Sequence, residues 1–140
     1  MVTHIDIVIR PDNQLIRTLS RRAGMRFEQV NHRFFDNEHN ILLVAFKGGE
    51  PLGFLYAYCL ERMERKRPMM FLYAIDVFAG YKRQGIGTQL IEKLKEVAED
   101  MGCTEIFVLT NDHNKAAKAL YQKCGGVREN TDDVMFVMAL

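Results

Sequence analysis

The sequence predicts one α/β domain, a mixed sheet with helices on both faces, and three observations carry that reading. Strand-length apolar runs come first, with Ile5, Ile7 and Ile9 alternating, then Ile41 to Phe46, then Leu52 to Leu60, which is apolar on both faces and therefore calls for a covered sheet. From Thr88 the period changes from two to 3.6: Leu90, Ile91, Leu94, Val97, Ala98 and Met101 fall on one stripe, as in an amphipathic helix. Such a helix between two strand patterns is the crossover a parallel pair requires.

Taken in order, His4 to Ile9 is a half-buried strand ended by Pro11. Asp12 caps a helix carrying Leu15, Ile16 and Leu19, with Gly24 as its stop. Phe27, Val30, Phe34 and Phe35 recur at helical spacing, and the polar run Asp36 to Asn40 closes that second helix. The strand Ile41 to Phe46, the turn Lys47-Gly48-Gly49-Glu50-Pro51 and the strand Leu52 to Leu60 form a hairpin. The charged run Glu61 to Pro68 reads as a solvated loop leading to a strand over Met69 to Val77. After the long helix, ended by Gly102, come a strand over Thr104 to Thr110 and a helix capped from Asn111 to Asn114. That helix bears Ala117, Leu120, Tyr121 and Cys124 on one face and closes at Gly125-Gly126. Val134 to Leu140 is apolar and strand-like. The count is six to seven strands.

The 140 residues fit a single domain, 1–140, large enough to bury a core without metal or disulfide staples. A net charge of +1 argues against nucleic acid as the main partner and favours a small molecule or protein. Three separated cysteines, Cys59, Cys103 and Cys124, match no metal spacing and read as reduced buried thiols of a cytoplasmic protein. His4, His32, His39 and His113 likewise show no ligand spacing, so no metal is expected. The first residues lack a basic start followed by a long apolar core, and no apolar run approaches the roughly 18 residues of a membrane span, so neither secretion nor a membrane partner is expected.

The chemistry is concentrated where the strand Met69 to Val77 runs through Tyr81-Lys82-Arg83-Gln84-Gly85-Ile86-Gly87-Thr88 into the long helix. Glycines leave the backbone bare at a helix N-terminus, where unpaired N–H groups and the helix dipole favour an anion. Lys82, Arg83 and Gln84 can donate to phosphate oxygens. No Lys-Ser/Thr follows the last glycine, so the turn is not a Walker loop, and it lacks the third glycine of the dinucleotide fingerprint.

This turn resembles the acyl-coenzyme A pyrophosphate loop of the GNAT N-acetyltransferase superfamily, whose pattern is Gln/Arg-x-x-Gly-x-Gly/Ala, with Lys82 standing where Arg or Gln is more usual. Asn114-Lys115-Ala116-Ala117-Lys118-Ala119-Leu120-Tyr121, ending at Gly125, resembles the second signature, Asn-x-x-Ala-x-x-Leu-Tyr-x-x-x-Gly. The element order matches that family over nearly the whole chain. More loosely, Leu52 to Tyr58, Phe71 to Gly87 and Ala119 to Tyr121 are similar to small aminoglycoside 3-N-acetyltransferases. The acidic residue those enzymes carry on the fourth strand aligns with Ala74 here, and Asp76, two residues on, shares its strand face.

The resemblance implies acetyl-coenzyme A as cofactor, held by Ile75 and Val77 along the thioester arm, by Lys82, Arg83, Gln84, Gly85, Ile86, Gly87 and Thr88 at the pyrophosphate, and by Asn114, Ala117 and Tyr121. The N–H near Val77 would polarise the thioester carbonyl. Tyr121 is the implied donor to the departing thiolate. A tyrosine pKa of about 10 against about 8.5 for a thiol makes it a late donor or hydrogen-bond stabiliser. Asp76 is the candidate base, or the group that orients the ammonium. For a polycationic aminoglycoside, Asp36, Asp76, Asp112, Asp132 and Asp133, with Glu38 and Glu129, are the candidate substrate carboxylates. The implied partner is a small-molecule amine, and a homodimer is expected. Two alternatives are a polyamine or protein amine as acceptor, and a non-catalytic acyl-coenzyme A-binding module.

Overall fold

The computed structural model describes residues 2–140. Its centre is a five-stranded sheet in the order β1-β2-β3-β4-β5, formed by β1 His4–Ile7, β2 Asn40–Lys47, β3 Glu50–Arg62, β4 Arg65–Val77 and β5 Ile106–Val108. The first four strands pair antiparallel and β4 with β5 parallel, so the antiparallel hairpins and the single parallel crossover both stand as the sequence implies. Gly48 and Gly49 both take positive φ, 59° and 83°, the conformation that lets a two-residue turn follow strand twist.

The crossover is α2, Ile86–Asp100, whose stripe Leu90, Ile91, Leu94, Val97 and Ala98 is buried against Leu43, Leu55, Met70 and Leu72 of the sheet. Each fully buried leucine there contributes about 1.5–3 kcal/mol. Helix α3, Lys115–Lys123, lies against α2, while α1, Asn13–Arg22, packs on the opposite face with Leu19 against Leu42, Val44, Phe54 and Phe78. The sheet thus carries helices on both faces.

The helices α1, α2 and α3 stop by one device. Gly24, Gly102 and Gly125 take left-handed φ, and the next residue donates back three positions before the cap: Met25 to Ser20, Cys103 to Ala98 and Gly126 to Tyr121. Asp12 and Asn114 cap α1 and α3 by accepting from Leu15 and Ala117 N–H.

Four expectations need correction. The second helix is two short 3₁₀ turns, Phe27–Gln29 and His32–Asp36. The charged run Glu61 to Pro68 is mostly strand, because β3 and β4 continue to a tight turn at Met63-Glu64. Its cations do a structural job: Arg67 donates to the carbonyls of Gly102 and Cys103 at the C-terminal end of α2, at 2.9 and 3.1 Å, and Arg62 to Thr104 at 3.0 Å. The strand expected over Thr104 to Thr110 shortens to Ile106–Val108. Val134 to Leu140 pairs with no strand, so the sheet has five strands rather than six or seven; its large apolar side chains stand in solvent.

Candidate active site

Strand β4 outruns its parallel partner. Its pairing with β5 covers only Met70–Leu72 against Ile106–Val108, while its pairing with β3 continues to Val77 opposite Gly53. Among the described residues, one edge of β4 from Tyr73 to Val77 therefore has no strand partner, and an extended amide-bearing chain can add there as a strand would. Ile75 and Val77 pack into the main core and fix this edge from behind.

Sequence reasoning missed Gly53. A Cβ at that position would lie 2.6 Å from the carbonyl oxygen of Asp76 and 3.0 Å from the Cα of Val77, so only glycine admits this approach of β3 to the open segment of β4. The available signal was an isolated glycine inside an apolar strand.

Past Val77 the chain takes left-handed φ at Gly80 (92°), Arg83 (63°) and Gly85 (79°). Interspersed left-handed residues let backbone N–H groups converge on one concavity, an anion nest. For Arg83, a residue with a Cβ, that conformation costs about 1–2 kcal/mol. Gln84 braces the turn by donating to the Gly80 carbonyl at 3.3 Å, and Lys82, Arg83 and Gln84 are exposed around it. Gly85 is the N-cap of α2, and no side chain bonds into that cap, so the first-turn N–H groups of Ile86, Gly87 and Thr88 are left for a guest.

The two turn glycines have different reasons. A Cβ on Gly85 would meet nothing within 4 Å, and its constraint is φ alone; Gly87 is buried, and a Cβ there would lie 3.1 Å from a δ-methyl of Leu120. Gly87 lets α3 close on α2 and so seats Tyr121, the residue after Leu120. Tyr121 shares a groove with Leu72 and Val108, the last paired residues before β4 and β5 part. Burial raises its hydroxyl pKa above the ordinary value, so it is a phenol at neutral pH.

Asp76 pairs in register with Phe54 and Ala74 with Tyr56, on the face opposite the main core. Partial burial raises its carboxyl pKa, and the nearby Lys82 ammonium opposes that shift. The other expected substrate carboxylates are not gathered with it. Asp36 lines a separate cavity with Asp100 and Met101 at the C-terminal end of α2, while the anion nest is at the N-terminal end, roughly 22 Å of helix away. Asp112 is engaged by Lys118 and Arg128, both at 2.9 Å, and the Lys118 hydrogen bond leads in lowering its pKa. Asp132 and Asp133 lie in the exposed segment after α3, bonded to Asn130. Asn114 and Ala117 serve as the α3 cap pair.

An open strand edge, an anion nest at a helix N-terminus and a neutral phenol at the mouth between them fit a nucleotide-bearing thioester. Comparison with known proteins agrees. The chain is 29% identical over 119 residues to N-alpha-acetyltransferase 30 of Xenopus laevis, covering 82% of this chain and 42% of that protein. It is 28% identical over 89 residues to N-acetyltransferase family 8 member 2 of Rattus norvegicus, and spans about two-fifths of the length of either relative. Among solved structures, an aminoglycoside acetyltransferase from an uncultured soil metagenomic sample superposes with a TM-score of 0.85 at 28% identity, over 100% of this chain and 99% of that one. The sequence model of the Acetyltransferase (GNAT) family, whose members use acetyl-coenzyme A, matches residues 11–126, and the chain belongs to that family.

Proposed function

We propose that this chain transfers the acetyl group of acetyl-coenzyme A directly, within a ternary complex, to the amine of a small molecule, the 3-amino group of an aminoglycoside being the leading acceptor. The observation that carries the transfer is the open β4 edge running into the uncapped N-terminus of α2. The likeness to an aminoglycoside acetyltransferase over the whole chain supports the acceptor. The 29% relative N-alpha-acetyltransferase 30 favours a second reading, a peptide α-amine.

Acetyl-coenzyme A supplies the acetyl group as an activated thioester. Lys82, Arg83 and the N–H groups after Gly85 would hold its phosphates, and the β4 edge at Ile75 to Val77 its amide-bearing arm. Asp76 takes a proton from the acceptor's ammonium, which at a pKa of about 9 to 10 is charged at neutral pH, leaving the neutral amine as the nucleophile. Tyr121 donates a hydrogen bond to the leaving sulfur. Because burial raises its pKa further above that of a thiol, stabilisation rather than complete proton transfer is its part. Tyr121→Phe is accordingly expected to lower kcat about tenfold to a hundredfold while the KM for acetyl-coenzyme A stays within about twofold. Unchanged kcat would remove Tyr121 from this role.

Thiol release from acetyl-coenzyme A over aminoglycosides, spermidine and peptides tests the function as a whole. Turnover with aminoglycosides supports the first acceptor and turnover with peptides alone the second. Binding of acetyl-coenzyme A with no amine acetylated would favour a non-catalytic binding module.

A homodimer belongs to the same proposal. Val134, Met135, Phe136, Val137, Met138 and Leu140 are each at least 76% exposed, and a groove of about 250 Å³, apolar at Leu72, Ile91, Ile106 and Val108 and rimmed by Lys95, Glu99 and Glu105, lies open between β5, α2 and α3. Burying such side chains is worth about 1.5–3 kcal/mol each, which favours their meeting a second copy. Light scattering is expected to give twice the chain mass, and Phe136→Glu with Val137→Glu the single chain mass. A wild-type monomer at micromolar concentration would overturn this.

A further inference from the structure

The sheet face that carries Asp76 also carries a continuous aromatic wall. Tyr56 and Tyr58 of β3, Phe71 and Tyr73 of β4, Phe107 of β5 and Phe34 of the second 3₁₀ turn touch in sequence. Tyr56 stacks on Tyr73 at 5.3 Å and 25°, Tyr58 meets Tyr73 edge-on at 5.7 Å, and Phe71 stacks on Phe107 at 4.6 Å and 3°. Phe34 stands edge-on to both Tyr56 and Tyr58, at 5.5 and 5.8 Å. Tyr73 is 56% exposed, so the wall is open to an occupant. It is also well placed: Tyr73 is the residue at which β4 leaves β5 and a bulge interrupts pairing with β3, and Tyr56 lies opposite Ala74, two residues before Asp76.

At its other end the wall enters a cleft of about 270 Å³ beneath α1 and the two 3₁₀ turns, bounded by Leu19, Met25, Gln29, Asn31, Phe34 and Phe54 among others, with no charged residue in its lining. Burial raises the hydroxyl pKa of Tyr56 and Tyr58, with Tyr58 and Tyr73 adding to the shift of Tyr56 and Tyr73 to that of Tyr58, so the wall holds no countercharge at neutral pH. A polycation there would lose hydration without a carboxylate to replace it. Aromatic faces, by contrast, accept a ring lying flat on them or a single ammonium over them. Gln29 and Asn31 offer amide groups to hydroxyls.

We propose that the acceptor is a ring-bearing amine of low total charge, its ring flat against the exposed Tyr73, which Tyr56 backs and Tyr58 meets edge-on, and its one reacting ammonium directed to Asp76, so that an aromatic face rather than an acidic cleft selects the substrate. This rests on the acetyltransferase reading above and replaces its leading acceptor: a polycationic aminoglycoside becomes a poorer substrate than a single amine-bearing ring, whether amino sugar or arylalkylamine.

The test compares glucosamine and tyramine with kanamycin and spermidine. The one-charge ring amines are expected to exceed both kanamycin and spermidine in kcat/KM by about tenfold or more, with KM changing less than about twofold between roughly 50 and 500 mM salt, since the single ion pair is made to the half-buried Asp76. Tyr56→Leu and, at the more exposed position, Tyr73→Leu are each expected to raise acceptor KM about tenfold, leaving the KM for acetyl-coenzyme A within about twofold. Preference for polycations with KM rising steeply in salt, or indifference to both tyrosine variants, overturns the proposal while leaving the transferase intact. If no amine is acetylated, the transferase reading fails instead. Calorimetric binding of tyramine in the presence of coenzyme A then decides: loss in Tyr73→Leu supports the wall, and no binding or an unchanged affinity overturns it.

Discussion

Gly53→Ala is expected to lower stability by about 2–3 kcal/mol and to cut turnover beyond what the loss of folded protein explains. The added methyl would stand 2.6 Å from the backbone oxygen of Asp76, and neither partner is the free end of a flexible side chain. Either β3 or β4 must move. β3 is held on its far side by β2, with Ala45 opposite Gly53, whereas β4 beyond Leu72 has β3 alone as strand neighbour, so β4 is the strand that yields. Displacement there carries Asp76 and the backbone of Val77 with it. An error of about 1 Å in such a constellation costs on the order of a hundredfold in rate. Urea unfolding gives the stability term, and kcat per folded molecule gives the other. A midpoint and kcat both equal to wild type would show that β4 absorbs the methyl and that Gly53 holds nothing in place.

The case of Gly53 also marks the limit of what the residues alone disclose. The three helix stops were readable because Gly24, Gly102 and Gly125 each follow an apolar stripe, and local rules decide them. The anion turn was readable for the same reason, being one short stretch whose glycines, cations and following helix are adjacent in sequence. The close approach at Gly53 joins residues 23 or more positions apart, and no local pattern distinguishes it from an ordinary strand glycine. Gly87 shows the same effect inside a legible motif: its sequence neighbours assign it to phosphate, while its buried contact is Leu120 on another helix.

The carboxylates fared worst because an acidic residue in a loop carries no periodicity. Asp36, Asp112, Asp132 and Asp133 looked equivalent in sequence, yet the fold puts the first at the far end of α2 and leaves Asp112 neutralised by two cations. The aromatic wall was hidden by an opposite error. Tyr56 and Tyr58 fall in the strand Leu52 to Leu60, read as covered on both faces, and their meeting with Phe71 and Tyr73 depends on strand register, while two short 3₁₀ turns stand in place of a full second helix over that face.

Asp76→Asn is expected to reduce kcat about a hundredfold to ten-thousandfold while raising stability at neutral pH. The two signs have one cause. Partial burial raises the carboxyl pKa above its unfolded value of about 3.9, so between those two values the native chain binds more protons than the unfolded one, and stability falls as pH rises through that window. Above it the ionised Asp76 is a standing cost that an amide does not carry. As a base, however, only the ionised form serves, and activity must fall away below its pKa. Lys82 is the one charge opposing the burial effect, so Lys82→Gln should raise that pKa further and move the acid limb of kcat, measured at saturating acetyl-coenzyme A, to higher pH. Its separate effect on phosphate binding would appear in the KM for acetyl-coenzyme A instead. If Asp76 only orients the ammonium, Asp76→Asn would raise acceptor KM with the limb unmoved, and a limb that stays in place in Lys82→Gln would exclude Asp76 as the titrating base.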